Sequence, residues 1–309
     1  MTSSRRLRGI VLRGTGGVWQ VRTETGETLS VALRGRLKQA DGEKLAVGDD
    51  VVIERGERGD AWAITEILPR RAKLTRRAPG GGPGERVVAA NIDQVVVVFA
   101  VAEPAPHPRM LDRFLLIAES NDLPSRVVVN KVELSTLDEA RSLFGVYEEI
   151  GYPVHYTSVK RGDGLDALCD ALHGRVSALT GPSGVGKSSL LNAMFPGLSL
   201  RVGEISRSVM KGRHTTVGAD LHPLPNGGFV CDTPGLREVG MWGIEPREVD
   251  RCFPEMRPLL DECRFGDCTH RVEPGCAVRS AVEGGQVSRA RYESYLKLRK
   301  ELEEGVKEY

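Results

Sequence analysis

The chain has 309 residues, 40% of them hydrophobic, and a formal net charge of +1. This length is sufficient for two or three domains, and the near-neutral charge excludes a general nucleic-acid-binding polycation. No apolar run reaches the roughly 20 residues that a membrane span needs, and the N-terminus lacks the apolar core of a secretory signal. We therefore expect a cytoplasmic protein without a membrane segment and, since no heptad run occurs, a monomer.

Short strands are predicted for residues 5–70. Two runs, at residues 9–13 and 17–23, flank a Gly-Thr-Gly turn, and TLSVALRG, DDVVIERG and AWAITEIL follow. These runs are rich in β-branched and aromatic residues and are separated by Gly and Asp. The pattern predicts a small all-β barrel such as an OB-fold over residues 1–75, although a small sandwich has the same periodicity.

This barrel is the predicted RNA- or ribosome-binding domain. OB-folds bind nucleic acid through a strand face with basic residues and stacking aromatics. For Trp19 and Trp62, stacking on bases and burial in the barrel core are equally expected. Two groups of basic residues are candidates for phosphate contacts, the alternative being an ordinary solvated surface: Arg5, Arg6, Arg8 and Arg13, and Arg70, Arg71, Lys73, Arg76 and Arg77.

An α/β domain is predicted for residues 85–240. It follows residues 78–84, Ala-Pro-Gly-Gly-Gly-Pro-Gly, which are typical of a flexible linker or loop. Short apolar runs then alternate with helix-like stretches, which favours a parallel sheet covered on both faces. The apolar runs are residues 95–101, 126–130, 154–158, 176–180 and 229–232, and helix-like examples are residues 109–120 and 137–150.

The guanine-reading segment is assigned to the tetrapeptide that follows the strand RVVV. It is similar to the N-K-x-D element of GTPases, whose carboxylate accepts hydrogen bonds from the guanine N1–H and exocyclic amine. Adenine lacks this donor pair and would leave the carboxylate unpaired. Here Glu133 replaces Asp, which keeps two acceptor oxygens and shifts their position. The predicted base contacts are Asn130, Lys131, Val132 and Glu133, with Ser158 of a Thr-Ser-Val loop behind the base.

A phosphate-binding loop is predicted at residues 181–189, because GPSGVGKSS fits G-x-x-x-x-G-K-[ST]. Glycines let successive main-chain N–H groups turn toward phosphate, and the following helix presents its positive end. Lys187 is expected to reach the β- and γ-phosphates and to act in catalysis, and Ser188 to bind Mg²⁺. The nucleotide contacts are Gly181, Pro182, Ser183, Gly184, Val185, Gly186, Lys187, Ser188 and Ser189.

A D-T-P-G segment ends the apolar strand FVC. Asp232 is expected to hold Mg²⁺ through water, and the Gly235 N–H to meet the γ-phosphate. Leu236 follows, where a water-orienting glutamine would be the usual residue, so we expect slow intrinsic hydrolysis. His214 is the candidate for positioning the attacking water, the alternative being an ordinary surface histidine.

The order of these motifs predicts a circular permutation. Ordinary GTPases have the phosphate loop first and the guanine-reading elements last, whereas here NKVE and TSV precede GPSGVGKS, GRHTT and DTPG. Cutting and rejoining one sheet gives this order, because the termini of compact domains often lie close together. The end of the switch region then leads directly into the C-terminal region.

A zinc site is predicted in the C-terminal domain, residues 241–309, which is otherwise helix-rich and ends in a charged surface helix. Cys263, Cys268, His270 and Cys276 have the spacing C-x4-C-x-H-x5-C. Three thiolates and an imidazole form a closed tetrahedral set, which suits structural rather than catalytic Zn²⁺. Cys252 is an alternative ligand that lies further away along the chain.

Together these features resemble the RsgA/YjeQ family of small ribosomal subunit biogenesis GTPases over essentially the whole chain. The most specific motifs are the permuted order, GRHTT, DTPG and CRFGDCTHRVEPGC. The resemblance implies an N-terminal OB-fold, ribosome-stimulated hydrolysis of GTP to GDP, and a late role in small-subunit maturation. It also implies that the zinc domain helps to contact the ribosomal particle and its rRNA, and that Thr215 or Thr216 is a catalytic switch threonine near Mg²⁺.

Two other functions fit parts of the sequence. A P-loop ATPase or kinase would have to accept adenine despite the NKVE segment. A weakly catalytic RNA-binding assembly factor would use the nucleotide as a structural ligand, and Leu236 favours this alternative.

Overall fold

The computed structural model describes residues 6–34, 44–56, 61–77, 85–198, 219–232 and 243–307. The strands are β1 (Arg6–Thr15), β2 (Val18–Thr23), β3 (Thr28–Leu33), β4 (Asp50–Arg55), β5 (Trp62–Ile67), β6 (Lys73–Arg77), β7 (Glu85–Ala90), β8 (Gln94–Ala100), β9 (Ser125–Asn130), β10 (Val154–Tyr156), β11 (Val176–Thr180), β12 (Asp220–Pro223) and β13 (Phe229–Asp232). The α-helices are α1 (Pro108–Glu119), α2 (Leu137–Ile150), α3 (Leu165–Leu172), α4 (Lys187–Met194), α5 (Ala277–Glu283) and α6 (Arg289–Lys307).

The N-terminal strands form a closed barrel in the order β1-β2-β3-β5-β4, which confirms the predicted OB-like barrel over the sandwich. Strand β1 closes it by pairing antiparallel with both β2 and β4, while β3 and β5 run parallel. Alternate β-branched residues point inward, as period-two patterning requires. The buried core residues are Val11, Val21, Val31, Val51, Ile53 and Ile64.

A two-stranded sheet of β6 and β7 follows the barrel. Its antiparallel register, from Lys73 opposite Ala90 to Arg77 opposite Glu85, was not expected from the sequence. The charged residues of β6 indicated a basic cluster rather than a strand. The predicted linker, residues 78–84, lies outside the described part of the chain.

The central sheet has six strands in the order β10-β9-β8-β11-β13-β12. Strands β9 and β10 pair in parallel, as do β11 and β13, whereas β12 pairs antiparallel with β13. Every residue of β8 is buried, which explains its continuous apolar run. Short, polar β12 was not predicted, but the five apolar strands predicted for the α/β domain are present.

The chain divides into two compact units. One comprises Met1–Val95, Asp166–Thr180 and Lys187–Val239, and the other Val96–Leu165, Gly181–Gly186 and Gly240–Tyr309. The C-terminal part of the second unit consists of short 3-10 helices followed by α5 and α6. Among the described residues, no helix combines the length and apolarity that crossing a bilayer requires.

Candidate functional site

Asn130 connects the predicted guanine-reading turn to the glycine-rich loop. It is the last residue of β9 and is 2% exposed. Its Nδ2 donates to the Val185 carbonyl at 2.8 Å, and its Oδ1 accepts a hydrogen bond from Thr157 Oγ1 at 3.1 Å. A Cβ on residue 186 would lie 2.5 Å from Asn130 Nδ2, so this approach requires Gly186. Asn130 therefore connects the turn after β9, the glycine-rich loop and the Thr-Ser-Val loop, and in the last of these Thr157 makes the contact.

Glu133 lies in the 3-10 turn that follows Asn130. Its carboxylate is held by the Thr-Ser-Val loop, which contains Ser158. Ser158 Oγ donates to Glu133 Oε2 at 2.6 Å, and Lys160 Nζ lies 3.8 Å from Oε1. Burial alone would raise the pKa of Glu133, but hydrogen bonds from Ser158 and from its own backbone N–H, together with the charges of Lys160 and Arg161, outweigh it and lower the pKa. The carboxylate is thus ionised at neutral pH and can accept hydrogen bonds from a ligand.

Lys131 contacts the loop before α1, which none of the sequence motifs includes. Its backbone adopts φ 62°, in the left-handed region, and its ammonium donates to the Glu103 carbonyl. The neighbouring Pro104 lies 3.7 Å from the position of a Cβ built on Gly184. The loop before α1 therefore adjoins both Lys131 and the glycine-rich loop. The sequence predicted the apolar strand β8 that precedes this loop, but it contained no motif for the loop itself.

The glycines of the phosphate loop are required by close packing and by backbone conformation. Gly181 has φ 135°, and a Cβ there would lie 2.0 Å from the Val98 carbonyl oxygen of β8. Gly184 and Gly186 also have positive φ, 83° and 96°. The chain then enters α4, where Lys187 and Ser188 are buried. A glycine loop that leads into a helix is an arrangement that can bind phosphate through main-chain N–H groups.

Several predicted residues lie outside the described part of the chain: His214, Thr215, Thr216, Gly235 and Leu236. The backbone of Asp232 is described. It ends β13, pairing with Leu179 of β11 and Asp220 of β12. This position at the carboxyl end of a parallel strand is a common location for residues that bind ligands in α/β sheets.

The predicted metal ligands converge. The donor atoms of Cys263, Cys268, His270 and Cys276 all lie within 4.8 Å of one another. His270 Nδ1 is 3.6 Å from Cys263 Sγ and 3.3 Å from Cys276 Sγ. Zn–S and Zn–N bonds of about 2.3 and 2.0 Å place tetrahedral donors about 3.5 Å apart, so the spacing fits Zn²⁺.

The cysteines outside and inside this set differ in their contacts. The Cys252 thiol donates to the Glu248 carbonyl at 3.6 Å and does not belong to the cluster. Burial raises the pKa of Cys268 to about 12 and also raises that of Cys276. These thiols are therefore protonated at neutral pH unless a cation stabilises the thiolates.

The predicted basic surface of the barrel is partly neutralised. Arg70 is buried and donates to Asp49 at 2.6 Å, so it stabilises the fold rather than meeting solvent. Arg71 pairs with Asp93 at 2.9 Å. Arg6 contacts Glu66 at 2.6 Å. These contacts reduce the positive charge that either group can offer to a phosphate.

Other predicted barrel residues stay accessible. Arg8 and Arg13 on β1 are exposed, and Arg13 Nε donates to the neutral Gln20 at 3.1 Å. Trp19 and Trp62 are partly buried against the barrel core, so each ring has both a packing role and an accessible edge.

Comparisons with known proteins agree with this architecture. The family described as RsgA GTPase matches residues 67–242. A protein from Gemmatimonas aurantiaca named small ribosomal subunit biogenesis GTPase RsgA is 63% identical over 297 residues, covering 95% of this chain and 97% of that protein. A Moorella thermoacetica protein of the same name is 43% identical, covering 94% and 95%.

Solved structures show the same fold. The crystal structure of YjeQ from Thermotoga maritima has a TM-score of 0.80 and 37% identity, covering 96% of this chain and 99% of that chain. The structure of YloQ, described as a circularly permuted GTPase, has a TM-score of 0.74 and 28% identity, covering 97% and 96%. The fold is therefore that of a circularly permuted GTPase, with an OB-like barrel and a helical C-terminal region that carries a Cys/His cluster. The chain belongs to the RsgA GTPase family.

Proposed function

We propose that this protein hydrolyses GTP to GDP and phosphate and acts in the maturation of the small ribosomal subunit. The observation that carries the proposal is the Asn130 brace, a 2.8 Å hydrogen bond that joins the guanine-reading turn to the phosphate loop. Beside it stands an ionised Glu133, fixed by Ser158. To bind a guanine nucleotide, a protein needs a carboxylate for the base and a loop for the phosphates, and here a hydrogen bond connects the two segments.

This geometry supports the proposed base contacts. Glu133 accepts the guanine N1–H and amine hydrogens, while Lys131 and Val132 line the base and Ser158 positions the carboxylate. Ordinary GTPases use the shorter Asp at this position. The Ser158 hydrogen bond, at 2.6 Å, fixes the longer side chain of Glu133 in one place.

The phosphates and Mg²⁺ are assigned to the segments around the glycine-rich loop. Main-chain N–H groups of residues 181–189 bind the phosphates, and Lys187 stabilises the charge that develops on the transferred phosphoryl group. Ser188 and Asp232 would hold Mg²⁺, which supplies charge neutralisation when bound. The remaining roles rest on the sequence: Gly235 for the γ-phosphate, Thr215 or Thr216 near Mg²⁺, and His214 for the attacking water.

The partner, the domains and the metal belong to the same proposal. Residues 1–75 contact rRNA, residues 85–240 bind nucleotide, and residues 241–309 hold one structural Zn²⁺ through the three cysteines and His270. The protein acts in the cytoplasm as a monomer. Relatives that carry the name small ribosomal subunit biogenesis GTPase support the ribosomal partner.

Phosphate release by the full chain, with and without small ribosomal subunits, tests the activity. We expect GTP hydrolysis that the subunits stimulate, and an excess of ATP should not compete. Lys187→Ala should lower the stimulated rate by about 100- to 1,000-fold, as the loss of one preorganised charge-stabilising donor does elsewhere. Lys297→Ala, at an exposed position of α6, is the charge-matched control.

Two outcomes would contradict the proposal. Equal competition by ATP and GTP would indicate the ATPase alternative. Tight GTP binding without phosphate release, even with subunits present, would favour an RNA-binding assembly factor that uses the nucleotide as a ligand only.

A further inference from the structure

Asp250 contacts the Cys/His cluster, although no motif in the sequence identified it. It begins a short 3-10 helix, Asp250–Cys252, and is buried. Its Oδ2 lies 3.3 Å from His270 Nε2. Its Oδ1 accepts a hydrogen bond from the Arg251 N–H at 2.8 Å, which fixes the carboxylate in place.

This contact decides which nitrogen of His270 is available. A neutral imidazole has one N–H donor and one lone pair, and a carboxylate can only accept. Asp250 therefore selects the tautomer with the proton on Nε2. The lone pair is then on Nδ1, the nitrogen that faces Cys263 Sγ and Cys276 Sγ at 3.6 and 3.3 Å.

The main chain of His270 is held independently by α6. Tyr292 Oη donates to the His270 carbonyl at 2.5 Å, and Tyr295 Oη donates to the Thr269 carbonyl at 2.9 Å. His270 itself has φ 56°, a backbone conformation that needs such support. The α6 hydroxyls thus hold the backbone of this segment, whereas the contact with Asp250 acts on the rotation and the tautomer of the ring.

We propose that Asp250 is a positioning residue of the metal centre, one that keeps His270 in the Nε2–H tautomer and directs Nδ1 to the dication. The proposal rests on the zinc site proposed above and extends it beyond the four ligands. Carboxylates that orient metal-bound imidazoles elsewhere also increase ligand basicity, and their loss weakens metal affinity by about 10- to 100-fold.

Competition between the full-length protein and a chromophoric zinc chelator measures the effect. We expect Asp250→Ala to weaken zinc binding by about 10- to 100-fold, with Asp250→Asn between the wild type and Asp250→Ala, because the amide keeps an acceptor without the charge. Asp261→Asn is the matched control, because Asp261 lies at an exposed position of the next 3-10 helix, Arg257–Glu262. This variant should bind zinc like the wild type.

A second readout applies to the unmodified chain and does not depend on a variant that folds. Long-range ¹H–¹⁵N NMR of the zinc-loaded wild type should show a His270 ring that is protonated at Nε2 and metal-bound at Nδ1. Zinc bound through Nε2, or wild-type zinc affinity in Asp250→Ala, would overturn the inference while leaving the zinc site intact. A wild-type chain that takes up no zinc would overturn both.

Discussion

The turn that carries Glu133 and the contacts that hold α6 both shield charged groups from water, but the partners of these charges differ. Arg291 of α6 is 2% exposed, and its Nη1 donates to Asp112 of α1 at 2.6 Å. Its Nε and Nη2 donate to Glu255 at 2.8 and 3.2 Å. Tyr147 Oη donates to the same Asp112 oxygen at 2.7 Å, and the guanidinium lies 4.5 Å from the Phe253 ring centre. Here the protein supplies both the charges and their partners.

Glu133 has a different set of partners. Neutral donors, the Ser158 hydroxyl and its own backbone N–H, hydrogen-bond its carboxylate, and the Lys160 ammonium lies 3.8 Å from Oε1 and is largely exposed. An ionised carboxylate with remaining acceptor capacity contributes little to folding but can bind a ligand donor pair strongly. A saturated charge network stabilises the fold, whereas a carboxylate with unused acceptor capacity can bind a ligand.

The largest effect is expected at the saturated network. Arg291→Met leaves the carboxylates of Asp112 and Glu255 sheltered from water without their cation, which should lower the free energy of unfolding by about 3–5 kcal/mol. Chemical denaturation of the zinc-loaded protein measures this. Arg113→Met breaks the exposed pair between Arg113 of α1 and Glu301 of α6 and should cost less than about 1 kcal/mol. Equal losses in the two variants would contradict the comparison.

The next largest effect concerns the base. Glu133→Ala should raise the Kd for GDP by about 10- to 100-fold, because charge-assisted hydrogen bonds contribute about 1.5–3 kcal/mol, and should leave ATP binding unchanged. The free energy of unfolding should stay within about 0.5 kcal/mol of the wild-type value, in contrast to Arg291→Met. Nucleotide titration and denaturation of one preparation measure both quantities, and a stability loss without a change in GDP affinity would assign Glu133 to the fold.

A smaller change is expected from Glu133→Asp, which restores the usual residue of the guanine element. The shorter side chain keeps the charge but withdraws the carboxylate from Ser158, so the change in GDP affinity should stay below about 10-fold, the loss of roughly one neutral hydrogen bond. If Ser158→Ala lowers the GDP affinity of the wild type but not that of Glu133→Asp, the 2.6 Å contact is what adapts the site to glutamate.

The smallest effect is expected on the barrel. Arg13→Ala should reduce the salt dependence of rRNA binding by about one unit of slope, because one phosphate contact is lost. Arg6→Ala should change the slope less, since Arg6 is already paired with Glu66 at 2.6 Å. Binding to small-subunit rRNA at several salt concentrations distinguishes the two, and equal slopes for both variants would argue against a free-arginine contact.

Local patterns in the sequence were sufficient to predict most of the strands and the metal cluster. Buried strands such as β8 are continuous apolar runs, and the spacing of the cysteines and His270 is itself the ligand pattern. The glycines of the phosphate loop were predictable for the same reason, because residue type and spacing set the local backbone conformation.

Long-range pairings were not predictable in this way. The sequence shows that Arg70 and Arg291 are basic, but their burial against Asp49 and Asp112 depends on tertiary contacts between distant segments. Asp250 was missed because it acts on His270 from a separate segment. The Thr-Ser-Val loop was predicted, but the hydrogen bond from Thr157 to Asn130 was not, because it too joins separate segments. The β6–β7 pair was missed because its charged residues do not alternate with apolar ones as in a half-buried strand.

The hydrogen bond of Asn130 also helps to explain how a permuted chain keeps its two loops together. The hydrogen bond from its side chain to Val185 links positions 55 residues apart and passes through space rather than along the backbone. The chain entropy lost on closing such a loop grows only with the logarithm of its length, so the segments on either side of the brace can be joined in another order at modest cost. The order of the segments can thus change while the side-chain hydrogen bond of Asn130 still holds the two loops together.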